Sequence, residues 1–222
     1  YYLTAHPCAV STIWDKSTGE LKIAIWRNEP MIFKHFLLDV NKANAFIVAC
    51  EKTHKAMLID AGAMSDEIVD YIEENNLNLR KVFITHDQYD HTDGLGKFID
   101  KYKAAAYCGS GKAGGFRTRS VLDGDCIRVD EIEGKVVVTP GHTVDGISLV
   151  MDGHVFTGDA LFSRVESNSR AAEKTEVQIN HIQENILNLP EEYQIHTGHG
   201  PSTTVAQEKV DNPYFKAEPS LA

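Results

Sequence analysis

One pattern recurs four times in this chain and limits what it can become. An apolar run of strand length ends in a short polar turn that carries histidine or aspartate. The four turns are "THDQYDHTDG" (85–94), "TPGHT" (139–143), "FTGDALF" (156–162) and "TGHGP" (197–201). Glycine beside most of these residues suits backbone that must turn sharply. Collected together, His86, Asp90, His91, His142, Asp159 and His199 offer imidazole nitrogens and carboxylate oxygens. Those donors suit zinc or iron, and a carboxylate can bridge two cations. The remaining histidines (6, 35, 54, 154, 181 and 196) read as ordinary hydrogen-bonding residues.

The elements around these turns mix strands with helices in both halves. "MIFKHFLLD" (31–39), "NAFIVAC" (44–50), "KAMLIDAG" (55–62) and "KVFIT" (81–85) read as strands, as do the apolar runs within 135–143, 146–162 and 193–200. Residues 65–76, with Ser65 as N-cap, acids in the first turn and Ile68, Val69 and Ile72 on one face, predict a helix. Residues 94–103 also read as helical. So do residues 176–190, with Ile179, Ile182, Ile186 and Leu189 at helical spacing. "DGD" at 123–125 signals a hairpin. Alternation of this kind predicts a layered α/β domain. Residues 1–30 form an N-terminal β-hairpin extension, with strands at 10–14 and 21–26, that serves as an edge or a homodimer contact. The main domain spans 31–222.

Composition narrows the function. With 22 basic and 32 acidic residues the formal charge is −10, which disfavours nucleic acid as a partner. No run of 18 apolar residues occurs, so no membrane span is expected. The start lacks a basic segment followed by an apolar one, and a chain beginning at Tyr1 reads as trimmed, processed or part of a longer product. Four cysteines without a CxxC pair suggest reduced thiols in the cytoplasm or another reducing compartment.

The four turns in this order, together with "LIDAG" (58–62), resemble the metallo-β-lactamase fold superfamily over about residues 31–215. "GHTVDGISLVMDGHVFTGDALF" and "GHGPSTTVAQEKVDNPYF" look most like its glyoxalase II and persulfide dioxygenase branch. The resemblance implies a four-layer αβ/βα sandwich with metals at one edge of two facing sheets. Carried over by position, one metal takes His86, residue 88 and His142. The other takes Asp90, His91 and His199, and Asp159 bridges them. Residue 88 departs from the family's HxHxDH pattern, because Gln88 stands where histidine is usual. Its carbonyl oxygen is a poorer zinc ligand than imidazole, so the first ion should bind weakly if it needs that position. The expected content is zinc, iron or both, as one or two ions per chain.

Two departures bear on the substrate. Only residues 202–222 follow the last motif, short of the helical substrate domain that glyoxalase II carries. The Gly-Arg-Thr-Asp stretch seen in many relatives is replaced by "SRVESNSRAAEKTE" (163–176). The resemblance implies a metal-dependent hydrolase of a thioester or related small-molecule acyl substrate. In it a metal-bound water attacks the carbonyl, and Asp90 is a ligand that also orients that water or accepts its proton. One alternative is a persulfide dioxygenase holding one iron at His86, His142 and Asp159, which needs no residue 88. A second is a binding protein with a degraded site. Arg164 and Tyr89 are candidates for substrate contact, while Arg117 and Arg119 read as ordinary surface residues.

Overall fold

The computed structural model describes residues 12–15, 20–23, 31–161 and 176–215. Near the N-terminus, β1 (Thr12–Asp15) pairs antiparallel with β2 (Glu20–Ile23) as a separate two-stranded sheet.

The first large sheet has the order β10-β7-β6-β5-β4-β3. Its strands are β3 (Met31–Leu37), β4 (Asn44–Cys50), β5 (Lys55–Ile59), β6 (Asn78–Phe83), β7 (Ala105–Cys108) and β10 (Arg119–Ser120). β3, β4 and β5 run antiparallel in turn, and β5, β6, β7 and β10 pair in parallel. Between β7 and β10, β8 (Lys112–Ala113) and β9 (Phe116–Arg117) form a small hairpin. The second large sheet has the order β11-β12-β13-β14-β15-β16. It comprises β11 (Cys126–Val129), β12 (Ile132–Val138), β13 (Ile147–Met151), β14 (His154–Gly158), β15 (Gln194–Thr197) and β16 (Thr203–Thr204).

Burial shows why two sheets stack. Every residue of β4 is buried. Successive side chains on a strand point to opposite faces, so one strand feeds two cores. Phe46 and Val48 join Met57, Ile59 and Phe83 against Val136, Leu149 and Phe156 of the second sheet. Ala45, Ile47 and Ala49 face the other way, into a layer with Ile68, Ile72 and Phe98. A third cluster joins Val137, Val150, Val155 and Ile195 to Ile182, Ile186 and Val205. Helix, sheet, sheet, helix is the resulting order of layers, as the resemblance implied.

The helices follow their signals. In α1 (Asp66–Glu74) the Ser65 side chain accepts from the Ile68 N–H, Ile68 and Ile72 are buried, and Asn76 at φ 51° ends the element. α2 (Tyr89–Thr92) is a single turn inside the first motif. α3 (Leu95–Tyr102) and α4 (Glu176–Asn185) match the expected segments, with α4 ending before the predicted residue 190. α5 (Val205–Asp211) is capped by Thr204.

Two expectations need correction. "DGD" lies in a turn leading into β11, and the hairpin that follows turns instead after Val129. Asp125 is committed locally, its Oδ2 accepting from the Leu122 N–H at 2.8 Å. The four thiols are not all reduced: Cys126 is disulfide-bonded, whereas Cys50 and Cys108 are free and buried. Cysteine usage therefore no longer argues for a reducing compartment. No helix among the described residues is long and apolar enough to cross a membrane.

Candidate metal centre

The six candidate ligands come from four strand ends. His86 follows β6, and Asp90 and His91 lie on α2. His142 lies between β12 and β13, Asp159 directly follows β14, and His199 follows β15. Two donor sets result: His86, His142 and Asp159, and then Asp90, His91 and His199. Within each set the donor atoms lie within 4.8 Å of one another. Asp159 joins the sets. Its Oδ1 is 3.4 Å from His91 Nε2, and its Oδ2 is 3.5 Å from His142 Nε2 and 3.6 Å from His199 Nε2.

The imidazoles are aimed by partners on their far nitrogens. Asp60, buried and at φ 58°, is the hub. Its Oδ2 accepts from His91 Nδ1 at 2.9 Å. Its Oδ1 accepts from the Thr85 N–H at 2.8 Å, and the Thr85 hydroxyl donates to the same carboxylate, 2.9 Å from Oδ2. That hydroxyl has spent its only proton, so its oxygen accepts from His86 Nδ1 at 3.0 Å. His199 Nδ1 donates to the Lys42 carbonyl at 3.3 Å. In each case Nε2 is left facing the centre. A ligating histidine needs this arrangement, since the far-side bond fixes both tautomer and ring orientation.

Three buried atoms at the centre have no hydrogen-bond partner: His86 Nε2, His91 Nε2 and Asp159 Oδ1. Buried polar atoms are rarely left so. A space of about 10 Å³ touches His86, His142 and Asp159, room for about one small atom. Glycine keeps the centre clear at two points. At Gly198 a Cβ would stand 2.1 Å from Asp159 Oδ1, and at Gly158, φ 50°, it would stand 2.3 Å from Thr85 Oγ1. Mixed nitrogen and oxygen donors with orphaned buried atoms fit a zinc or iron ion.

Electrostatics favour the same reading. Burial opposes charge on His91, but the Asp60 and Asp159 carboxylates override it and raise its pKa to about 10. Burial likewise opposes charge on Asp159, yet contact with His91 and the charges of His91, His86 and His199 lower it to about 2. Burial and then the charge of His91 hold His86 below the usual histidine value. Without an ion, a proton on His91 is the local counter-charge to two buried carboxylates.

The other candidates are placed as follows. Gln88 is half-buried at the N-cap of α2, where its backbone carbonyl accepts from the His91 N–H at 3.0 Å and from Thr92 Oγ1 at 2.8 Å. Tyr89 is 61 % exposed. Arg164 lies outside the described residues. Arg117 is exposed on the small hairpin, and exposed Arg119 lies over the Tyr107 ring and donates to its hydroxyl. Sequence reasoning missed Asp60, Thr85 and Asn41 as supports. "LIDAG" carried the signal for Asp60. Nothing local marks Asn41, whose Nδ2 donates to Asp90 Oδ2 at 3.1 Å across the fold.

Comparison with known proteins agrees with this geometry. A family model described as the metallo-beta-lactamase superfamily matches residues 38–199. A hydroxyacylglutathione hydrolase of Pseudoalteromonas translucida is 33% identical over 147 residues, covering 65% of this chain and 56% of that protein. One from Vibrio cholerae is 32% identical over 143 residues, again with 56% of that protein covered. The chain thus matches only about half the length of these hydrolases. The crystal structure of ETHE1 from Myxococcus xanthus superposes with a TM-score of 0.72 at 28% identity, covering 82% of this chain and 83% of that one.

Proposed function

The chain belongs to the metallo-β-lactamase superfamily, and on that premise we propose that it is a metal-dependent hydrolase of a thioester or related acyl compound. The observation that carries this reading is the second donor set. Asp90, His91 and His199 are complete, buried and joined to the first set through Asp159. A one-ion enzyme using only the first set would keep these three residues only as supports around its ion, whereas a two-ion hydrolase uses them as ligands.

A divalent cation bound here supplies Lewis acidity and lowers the pKa of a coordinated water towards neutrality. The chain's own groups then have distinct tasks. His86 and His142 with Asp159 would hold the first ion, and Asp90, His91 and His199 with Asp159 the second. Asp159, held near pKa 2, stays charged at any working pH. Asp90 has one oxygen committed to Asn41 at 3.1 Å and facing His199 at 3.4 Å. Its carboxylate also takes the proton released by the attacking water. Asp60 and Thr85 keep the imidazoles from turning while charge shifts in front of them. A thiolate leaves readily because thiol pKa values lie near about 8.5, so no strong general acid is required. Gln88 offers a neutral carbonyl oxygen where relatives have imidazole, which weakens the first ion more than the second. Tyr89, exposed at the start of α2, contacts substrate.

A second reading has its own support. His86, His142 and Asp159 are two histidines and one carboxylate, the trio used by oxygen-activating ferrous iron. A paired assay separates the two: thioester cleavage and persulfide-dependent oxygen uptake, on wild type and on His199→Ala. The hydrolase predicts thioester cleavage in wild type that disappears in the variant. Oxygen uptake by wild type that survives in His199→Ala would replace the hydrolase with the dioxygenase. Silence in both assays would favour a binding role.

A further inference from the structure

Beside the second donor set lies a groove of about 370 Å³ lined by His35, Leu37, Lys42, Asn44, His199 and Pro201. Its volume falls within the range of small-molecule sites. His199 belongs to its wall, so a molecule held there lies next to the candidate metal ligands.

The chemistry of the groove follows from which groups are already committed. Asn44 is spent inside the protein: its Nδ2 donates to the Thr197 and Gly200 carbonyls at 2.8 Å each, and its Oδ1 accepts from His35 Nε2 at 2.7 Å. Leu37 offers an apolar surface, being 56 % exposed. Lys42 supplies a cation. Its ammonium pairs with Asp39 at 3.0 Å, but both side chains are open to water, 68% and 104% exposed. Surface pairs of this kind contribute little and exchange readily. The Lys42 backbone, by contrast, is fixed relative to the donors. Asn41 and Lys42 sit at φ 48° and 55° in the turn between β3 and β4, an uncommon conformation for residues other than glycine. From that turn Asn41 reaches Asp90, and the Lys42 carbonyl receives His199 Nδ1. One short turn thus braces two ligands and presents a mobile cation to the groove beside them.

We propose that this groove receives the carboxylate-bearing arm of the substrate, with Leu37 against its apolar stem and the Lys42 ammonium as its counter-ion. The proposal rests on the hydrolase reading and places the thiol-derived part of the substrate on the His199 side of the centre.

The test is direct binding, which does not depend on turnover. The protein as purified is titrated calorimetrically with glutathione, which carries carboxylates at both ends, and with glutathione diethyl ester, in which they are masked. Wild type should bind glutathione about 10-fold more tightly than the diester. Lys42→Glu should erase that difference by weakening glutathione alone. Lys42→Met, which keeps the stem and the turn, should do the same to a smaller degree and guards against a folding artefact. Lys101→Glu, at a remote exposed pair with Glu73, should change neither affinity. Equal binding of the two compounds by wild type, unchanged glutathione affinity in both Lys42 variants, or no saturable glutathione binding would each overturn the groove assignment. Charge-selective binding without thioester cleavage would retire the hydrolase and leave the groove standing. Cleavage without charge-selective binding would do the reverse.

Discussion

The two donor sets share Asp159 but are built differently. The second set is sealed: His91 and His199 have side chains 0% and 3% exposed, and their far nitrogens are held by Asp60 and by the Lys42 carbonyl. The first set is open on one side. His142 is 27% exposed, on the turn between β12 and β13, and Gln88 is half-buried at the N-cap of α2. A buried, pre-aimed ligand loses little freedom when an ion arrives, whereas an open one must be ordered first. The comparison teaches that the two halves of one centre differ in how far their donors are fixed before an ion arrives.

The largest expected effect attacks that contrast directly. His91→Ala should lower metal affinity by more than about 100-fold, beyond the range typical of residues that merely support ligands. His142→Ala should cost less. Metal content after dialysis against a graded chelator measures both, and equal losses would erase the distinction between sealed and open sets.

Next is the residue that serves both sets. Asp60→Asn keeps the shape but removes the charge that orients His91 and, through Thr85, His86. Metal affinity should fall about 10- to 100-fold for both ions together, read as a single shifted phase in the same chelator titration. Loss of only one ion would show that the halves are supported independently.

Gln88→His should strengthen the first ion selectively, by about 10-fold, with thioester cleavage rising alongside occupancy. A change in the second ion instead would contradict the assignment of residue 88 to the first set.

The smallest effect concerns the scaffold of the second set. His196 lies on β15, the strand that leads to His199. It stacks against both Phe33 and Phe156 at centroid distances of 4.7 and 4.9 Å and bonds to His154 and Ser202. Burial, then the neighbouring His154 and His35, lower its pKa to about 3. The unfolded chain, with histidine near 6.5, therefore binds a proton that the folded chain refuses. Stability should fall as pH drops from 6.5 towards 3, by at most about 1.4 kcal/mol per pH unit from this group. Thermal melts of His196→Phe should be flatter across that window. An unchanged slope would show that other groups dominate acid unfolding.

Much of this was legible in the sequence because it is local. β4 coincides with the apolar run 44–50, and Ser65 caps α1 as its position implied. The ligand candidates stand at strand ends, where short-range patterning puts them, and strand order then brings them together. The supports were less legible, since each depends on a contact between distant segments. Asn41 meets Asp90 across 49 residues, and Asn44 meets Thr197 across 153. The "DGD" turn misled because a tight turn can begin a strand as easily as join two. Neither apolar pattern nor turn chemistry could forecast the single-turn α2, which aims Asp90 and His91 from within a motif.

β4 supplies large side chains to the space between the sheets and mostly small ones to the helical layer, from alternate positions of a single run. Such a strand can drift in identity but not in length. Swapping Ile47 for valine trims one layer by a methyl group. Inserting or deleting a single residue there reverses the facing of everything beyond it, turning rings towards the helices and methyl groups towards the opposite sheet. It also shifts Asn44 away from the Thr197 and Gly200 carbonyls it ties together. Across descendants of this gene, gaps should be absent from residues 44–50 even where substitutions accumulate freely.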